Sequence, residues 1–244
     1  CVFASKVYVP TWSAATLSAV FKKGDPGDLD NYRAIAVGSV LGKLYSSVLD
    51  ARLARLAERL GWRAEGQAGF RVGKSTVDHV FILRHLITCA QTKLSLSPPQ
   101  RLYCCFVDFR KAYDTVSRTL LMQRLASLGV HGEMLTALTH MYWDVPLIPK
   151  CGHERGPPLA STSGVKQGDP LSPLLFGLFI DEFERWLKER LPRVGFPVGA
   201  SQFVPLPEIS VRGAWDNILR IPWGGLPADP RQTPPGMSIK AATY

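Results

Sequence analysis

Phe106-Val107-Asp108-Phe109-Arg110-Lys111-Ala112-Tyr113-Asp114 is the stretch whose reading decides the fold. An apolar run from Leu102 to Phe109 carries one carboxylate, Asp108, near its end. A short apolar run bounded by turn residues predicts a strand. Arg110 and Lys111 follow at once and would set charge and backbone N–H groups beside phosphates held by Mg²⁺ on Asp108. The ring of Tyr113 could lie under a sugar. This is the order of groups that nucleotidyl transfer needs. The plainer reading of Asp108, taken singly, is a turn cap. Asp114 reads as structural, helping to start the next helix.

Outward from this strand, turn signals alternate with apolar periods. Lys23-Gly24-Asp25-Pro26-Gly27-Asp28 is a turn cluster, and Tyr32 to Val37 predicts a short strand after it. Helical spacing predicts a helix from Ser39 to Leu60, stopped by Gly61, and a second from Thr76 to Thr92. Ser95 to Gln100 reads as a loop. Ser117 to Leu128 and Leu135 to Tyr142 predict two further helices. Ser172 is a candidate N-cap with Pro173 at the first helical position, opening a helix that runs to about Arg190.

Beyond Pro192 the pattern stops. Nine of the last 53 residues are proline and six are glycine, and no apolar period persists. Proline removes ladder donors and breaks helices, so a continuous packed domain is not expected there.

Two more segments carry chemistry. Gly164-Val165-Lys166-Gln167-Gly168-Asp169-Pro170 runs into the helix at Ser172 and offers close backbone approach and free amides. Alone, it is a tight loop before a helix. Asn31-Tyr32-Arg33, preceded by Lys22-Lys23, sets an arginine fork near an ammonium pair, which suits a triphosphate. Alone, it is equally a solvated basic strand edge.

Taken together, these segments resemble the reverse transcriptase domain of non-LTR, LINE-type retrotransposons from about Trp12 to Arg190. The resemblance is carried by Phe21-Lys22-Lys23-Gly24-Asp25 with Asn31-Tyr32-Arg33-Ala34-Ile35, then Gln67-Ala68-Gly69-Phe70-Arg71 and Gly73-Lys74-Ser75-Thr76. The Asp108 segment and Gly164 to Phe176 complete it. The family usually has proline where this chain has Ala34.

The resemblance implies an α+β, right-hand polymerase fold: a fingers-like region over 1–100, a partial palm over 101–191 and an irregular, divergent tail over 192–244. It implies RNA-templated synthesis from deoxynucleoside triphosphates on a DNA primer, with Mg²⁺. By position it assigns Asp108 to the first metal ligand and Arg33 to the incoming nucleotide, beside which the ammonium pair Lys22 and Lys23 suits the triphosphate. Arg110 and Lys111 lie beside its phosphates. Tyr113 matches the aromatic that excludes a ribose 2′-hydroxyl, and Gln167 and Gly168 match the loop that positions nucleotide and template.

One departure bears on activity. Two-metal phosphoryl transfer holds its ions about 3.5–4 Å apart, and the family supplies the further acids from an aromatic-x-Asp-Asp hairpin. No Asp-Asp pair occurs in this sequence. Trp215-Asp216-Asn217 stands 49 residues after Gln167, about where that hairpin belongs. Asp216 reads either as a decayed form of it or, more simply, as a chance match. The expectation is a truncated, inactive remnant of a reverse transcriptase domain. The alternatives are synthesis on Asp108 and Asp216 alone, and a non-catalytic RNA-binding module that keeps the basic fingers.

Charge agrees with a polyanionic partner. The 29 Lys+Arg exceed the 20 Asp+Glu by nine, and 24 against 17 of these fall on residues 1–191. The five cysteines show no paired ligand spacing; Cys104 and Cys105 read as buried free thiols, and Cys151-Gly152-His153 lacks the second half of a zinc site. No apolar run is long enough to span a bilayer and no signal peptide opens the chain, so no membrane partner is expected. An intracellular setting is expected, nuclear or cytoplasmic and not secreted. The chain opens on Cys1, as a fragment would.

Overall fold

The computed structural model describes residue 3 and residues 8–93, 102–143, 145–190 and 237–243. In chain order these form α1 (Pro10–Ser13), β1 (Ala15–Phe21), β2 (Tyr32–Gly38), α2 (Val40–Arg59), α3 (Thr76–Lys93) and β3 (Tyr103–Phe109). Then follow α4 (Arg118–Ser127), α5 (Gly132–Trp143), β4 (Pro146–Cys151), β5 (Glu154–Arg155), β6 (Leu159–Ala160), α6 (Ser172–Ile180), α7 (Glu182–Arg190) and β7 (Met237–Thr243). The α+β class expected from the sequence is the class observed. Two compact units interleave along the chain: Cys1–Ala64 with Tyr113–Asp181, and Glu65–Ala112 with Glu182–Tyr244. Each contains sequence from both sides of the linear boundary at residue 100.

In the first unit β1 pairs antiparallel with β2, from Ala15↔Gly38 to Phe21↔Tyr32. It also pairs parallel with β4, from Ala15↔Leu147, so β2 is an edge of the sheet. The core lies among the helices. Leu49 and Leu53 of α2, Leu121 and Leu125 of α4, Leu138 and Met141 of α5, and Leu175 and Leu178 of α6 are buried together. Each leucine taken out of water contributes roughly 1.5–3 kcal/mol of gross hydrophobic stabilisation. Ser39 caps α2 through Gly42 N, and Ser117 caps α4 through Leu120 N. Both caps satisfy amides that a helix start leaves unpaired.

The stripe that α2 buries differs from the apolar one in its sequence. Gly42, Ser46, Leu49, Leu53 and Ala57 face inward, while Leu41, Leu44 and Val48 are exposed. Small residues at 42 and 46 let neighbours come close. Trp12 O would lie 3.3 Å from a Cβ placed on Gly42, and Ser46 Oγ donates to Asp169 at 2.9 Å.

The helix expected from Ser172 to Arg190 is two helices. Leu171, not Ser172, stands at the N-cap and makes no side-chain cap bond. The Ser172 hydroxyl instead pairs with the Tyr142 hydroxyl at 3.2 Å. The break falls at Asp181, which is buried and accepts a hydrogen bond from Ala64 N. A carboxylate drawn inward to that amide occupies the place where a continuous helix would carry an apolar side chain.

In the second unit α3 opens on a reciprocal cap: Ser75 N donates to Asp78 Oδ2 at 2.8 Å and Asp78 N to Ser75 Oγ at 3.3 Å. Val77, Val80, Phe81 and Ile82 on this helix are exposed. β3 pairs antiparallel with β7, from Tyr103↔Thr243 to Phe109↔Met237. Cys105 of β3 is exposed and Cys104 half-buried, both free thiols, so Cys105 is not the buried thiol expected. Most of the proline-rich tail, 191–236, lies outside the described residues. The β7 strand within it was missed because Met237, Ile239 and Ala241 alternate with Ser238 and Lys240 over too few residues to stand out.

Candidate functional site

Residues 161–169 form a loop fastened to four elements of the first unit. At its start Gly164 N donates to Val116 O (2.8 Å) and Val165 N to Tyr113 O (2.9 Å). Gly164 has φ +80°, and a Cβ there would meet Tyr113 O at 2.8 Å, so only glycine lets the loop lie on the Tyr113-Asp114 backbone. Lys166 Nζ donates to Ser13 O at 3.2 Å. Ala36 N of β2 donates to Gln167 O at 2.8 Å. Gly168, at φ +106°, sits where a Cβ would lie 2.9 Å from Ala36 O. Asp169 closes the loop by accepting from Ser46 Oγ and from Leu171 N at 3.0 Å.

Three expected site residues are thereby held on neighbouring parts of one unit. Gln167 and Gly168 lie against β2, the strand that carries Arg33. Tyr113 lies under the start of the same loop, its ring 5.1 Å from that of Phe176. Arg33 is exposed and registers opposite Val20. Lys22 and Lys23 are exposed at the tip of the β1–β2 hairpin. The tip is shaped by its acids and amide: Gly27 N donates to Asp25 Oδ1 (2.8 Å), Asp30 N to Asp28 Oδ1 (2.9 Å) and Asn31 Nδ2 to Asp25 O (3.0 Å). Asp25 and Asp28 thus serve the turn.

Sequence reasoning missed Arg118, the first residue of α4. Its guanidinium donates to Gly164 O (2.9 Å), Tyr142 O (2.9 Å), Ser161 O, Ser161 Oγ (2.7 Å) and Ser163 O (2.9 Å). The signal was absent from the sequence because the acceptors are mainly carbonyls some forty residues away. Arg118 also lines a cavity of about 260 Å³ with Ala34, Asp114, Ser163 and Gln167. Ala34, the position where the family usually has proline, forms part of its wall.

Burial shapes the ionisable groups around the loop. It lowers the pKa of Lys166, an effect that Asp169 opposes, and it lowers that of Arg118. Burial pushes the Tyr8 hydroxyl up to about 12, with Asp169 adding to the rise. Tyr142 is driven well above the ordinary tyrosine value, first by burial and then by the charge of Asp169. The Tyr113 hydroxyl is also raised by burial.

In the second unit Asp108 is exposed near the end of β3. Arg110 and Lys111 follow in the turn, where Lys111 takes the left-handed φ of 51°. In the β3–β7 register Ser238 stands opposite Asp108, and Met237–Thr243 contains no carboxylate. Among the described residues no group of three or more His, Cys, Asp or Glu side chains could hold a metal ion. That donor set does not fit a pair of Mg²⁺ ions, whose charge several carboxylates must offset. Asp216, the other acid expected at the site, lies outside the described residues.

A family model described as reverse transcriptase (RNA-dependent DNA polymerase) matches residues 20–204. The chain belongs to the reverse transcriptase family. It is 28% identical over 194 residues to the retrovirus-related Pol polyprotein of type-1 retrotransposable element R2 from Popillia japonica, covering 79% of this chain and 26% of the relative. It is 32% identical over 179 residues to the transposon TX1 uncharacterized 149 kDa protein of Xenopus laevis, covering 72% of this chain and 13% of the relative. Among solved structures, it is similar to apo telomerase from Candida tropicalis truncated from its C-terminal domain. That likeness has 14% identity and a TM-score of 0.46, and covers 74% of this chain and 41% of that one. The chain is a reverse transcriptase domain of the non-LTR retrotransposon type. It spans about a quarter or less of the length of these curated relatives. No helix among the described residues is long and apolar enough to cross a membrane.

Proposed function

We propose that this reverse transcriptase domain binds an RNA template, a DNA primer and a deoxynucleoside triphosphate but does not itself extend the primer. Arg33, Lys22 and Lys23 meet phosphates, Tyr113 lies under the sugar, and Gln167 and Gly168 position nucleotide and template. Arg110 and Lys111 add charge beside the phosphates. Asp108 holds a Mg²⁺ ion weakly, as one carboxylate with Ser238 opposite it in the β3–β7 register. Asp216 is the residue to examine as a second acid.

One observation carries the reading: the strand paired with β3 sets Ser238 opposite Asp108 and brings no carboxylate. The loop and hairpin that would hold nucleotide are meanwhile intact and tightly fastened. Binding and chemistry thus separate in this chain, since phosphate contacts need cations and amides whereas the two-metal step needs acids.

The binding half is tested by titrating a labelled RNA template–DNA primer at several salt concentrations. Affinity should fall as salt rises, and changing Lys22, Lys23 and Arg33 together to alanine should flatten the logarithmic slope by about two. A slope unaffected by the triple change would refute contact between these cations and the template or primer phosphates. Asp108→Ala should leave template affinity unchanged.

A further inference from the structure

Residues 161–164 have no regular secondary structure to hold them, yet they set where Gln167 and Gly168 begin. One side chain supplies what is missing. All three nitrogens of the Arg118 guanidinium are engaged, Nε by Gly164 O, Nη1 by Tyr142 O and Ser161 O, and Nη2 by Ser161 Oγ and Ser163 O. The group also lies over the Tyr142 ring, 5.6 Å from its centroid. We propose that Arg118 is a positioning residue that fixes the start of the 161–169 loop and so sets the nucleotide affinity of Gln167 and Gly168. This rests on the reading of Gln167 as a nucleotide contact.

The physical chain is short. Arg118 joins the loop start to α5 and β6 neighbours, and Ala36 N anchors the loop end through Gln167 O at 2.8 Å. With both ends held, the Gln167 side chain needs little ordering when a ligand arrives, and less lost freedom means tighter binding. The role requires a planar fork. Lysine would keep the charge and most of the stem, but its donors radiate from one atom and cannot span acceptors on Ser161, Ser163 and Gly164 at once. A residue that only stabilised the core would be served nearly as well by lysine.

The test uses the full 244-residue chain loaded with a short RNA template–DNA primer. It is titrated with the complementary deoxynucleoside triphosphate in Mg²⁺. Arg118→Lys should weaken nucleotide affinity about tenfold, the scale of one lost charge-assisted contact, and template–primer affinity, spread over many phosphate contacts, by much less. Amide exchange at Gly164 and Val165 should quicken by a similar factor, with exchange in the α4 core unchanged. Gln167→Ala serves as the parallel arm. If it weakens nucleotide binding and Arg118→Lys does not, the positioning role is overturned and the nucleotide reading stands. If Gln167→Ala has no effect, or the unaltered chain binds no nucleotide, the reading itself fails and the inference with it. Should Arg118→Lys not fold, Ser161→Ala removes one acceptor and should weaken nucleotide binding about twofold to threefold. No change in that variant overturns the role.

Discussion

Ala36 donates its amide to Gln167 O on the side of β2 away from β1. Amides two residues apart on a strand face the same way, so the Ala34 amide also points to the outer edge and takes no ladder bond with β1. A proline at this position would therefore cost no ladder bond. Ala34→Pro should raise stability by about 0.5–1 kcal/mol through the unfolded chain, read as a higher melting temperature; a lower one would contradict the edge assignment. Gly168→Ala should do the opposite. With φ at +106° and Ala36 O only 2.9 Å from the new Cβ, it should cost about 1–3 kcal/mol. Tyr8 and Tyr142 give a pH signature. Their folded pKa values lie above the ordinary tyrosine value of 10, that of Tyr8 at about 12. An unfolded chain therefore releases protons first as pH rises past 10, so the stability these groups contribute is complete below about 10 and lost as pH climbs through their folded values. Lys166 acts with the opposite sign, because its lowered pKa favours the folded state as it deprotonates below 10.5. Alkaline unfolding followed by circular dichroism should begin later in Tyr142→Phe.

At the scale of elements, periodicity located nearly every helix but not always the face it buries. The α2 helix was legible from its spacing, yet its inward stripe runs through Gly42, Ser46 and Ala57, residues that hydropathy does not mark. Leu53 is buried and Phe81 of α3 is 70% exposed. Leu53→Ala should therefore cost about 2–5 kcal/mol, whereas Phe81→Ser should stay within about 0.5 kcal/mol, both measured by denaturant unfolding. A large loss at Phe81 would mean that its exposure is wrongly assigned. The break at Asp181 was invisible because the amide that draws it inward belongs to Ala64, 117 residues away. Arg118 escaped for the same reason. Local patterns report local partners, and the groups that matter most around the 161–169 loop are paired across the chain.

Across the whole molecule, the resemblance read from five short blocks agrees with the family the chain belongs to. Two of the blocks, the one at Tyr32 to Ile35 and the one from Gly164 onward, share the first unit, with Gly164 and Gly168 each at a place where a side chain would strike backbone. Such residues are legible because chemistry and sterics leave one choice. The acids are a different matter. Asp108 could be singled out as a candidate from its neighbours, but what stands beside it depends on a strand, β7, with no strong pattern of its own. The proposed function is that of a domain in which binding outlasts catalysis. Primer extension on an RNA template tests it most directly, run with Mg²⁺ and with Mn²⁺, on the unaltered chain and on Asp108→Ala. The account predicts no incorporation by either protein, at template concentrations where both are bound. Extension by the unaltered chain that disappears in Asp108→Ala would contradict it.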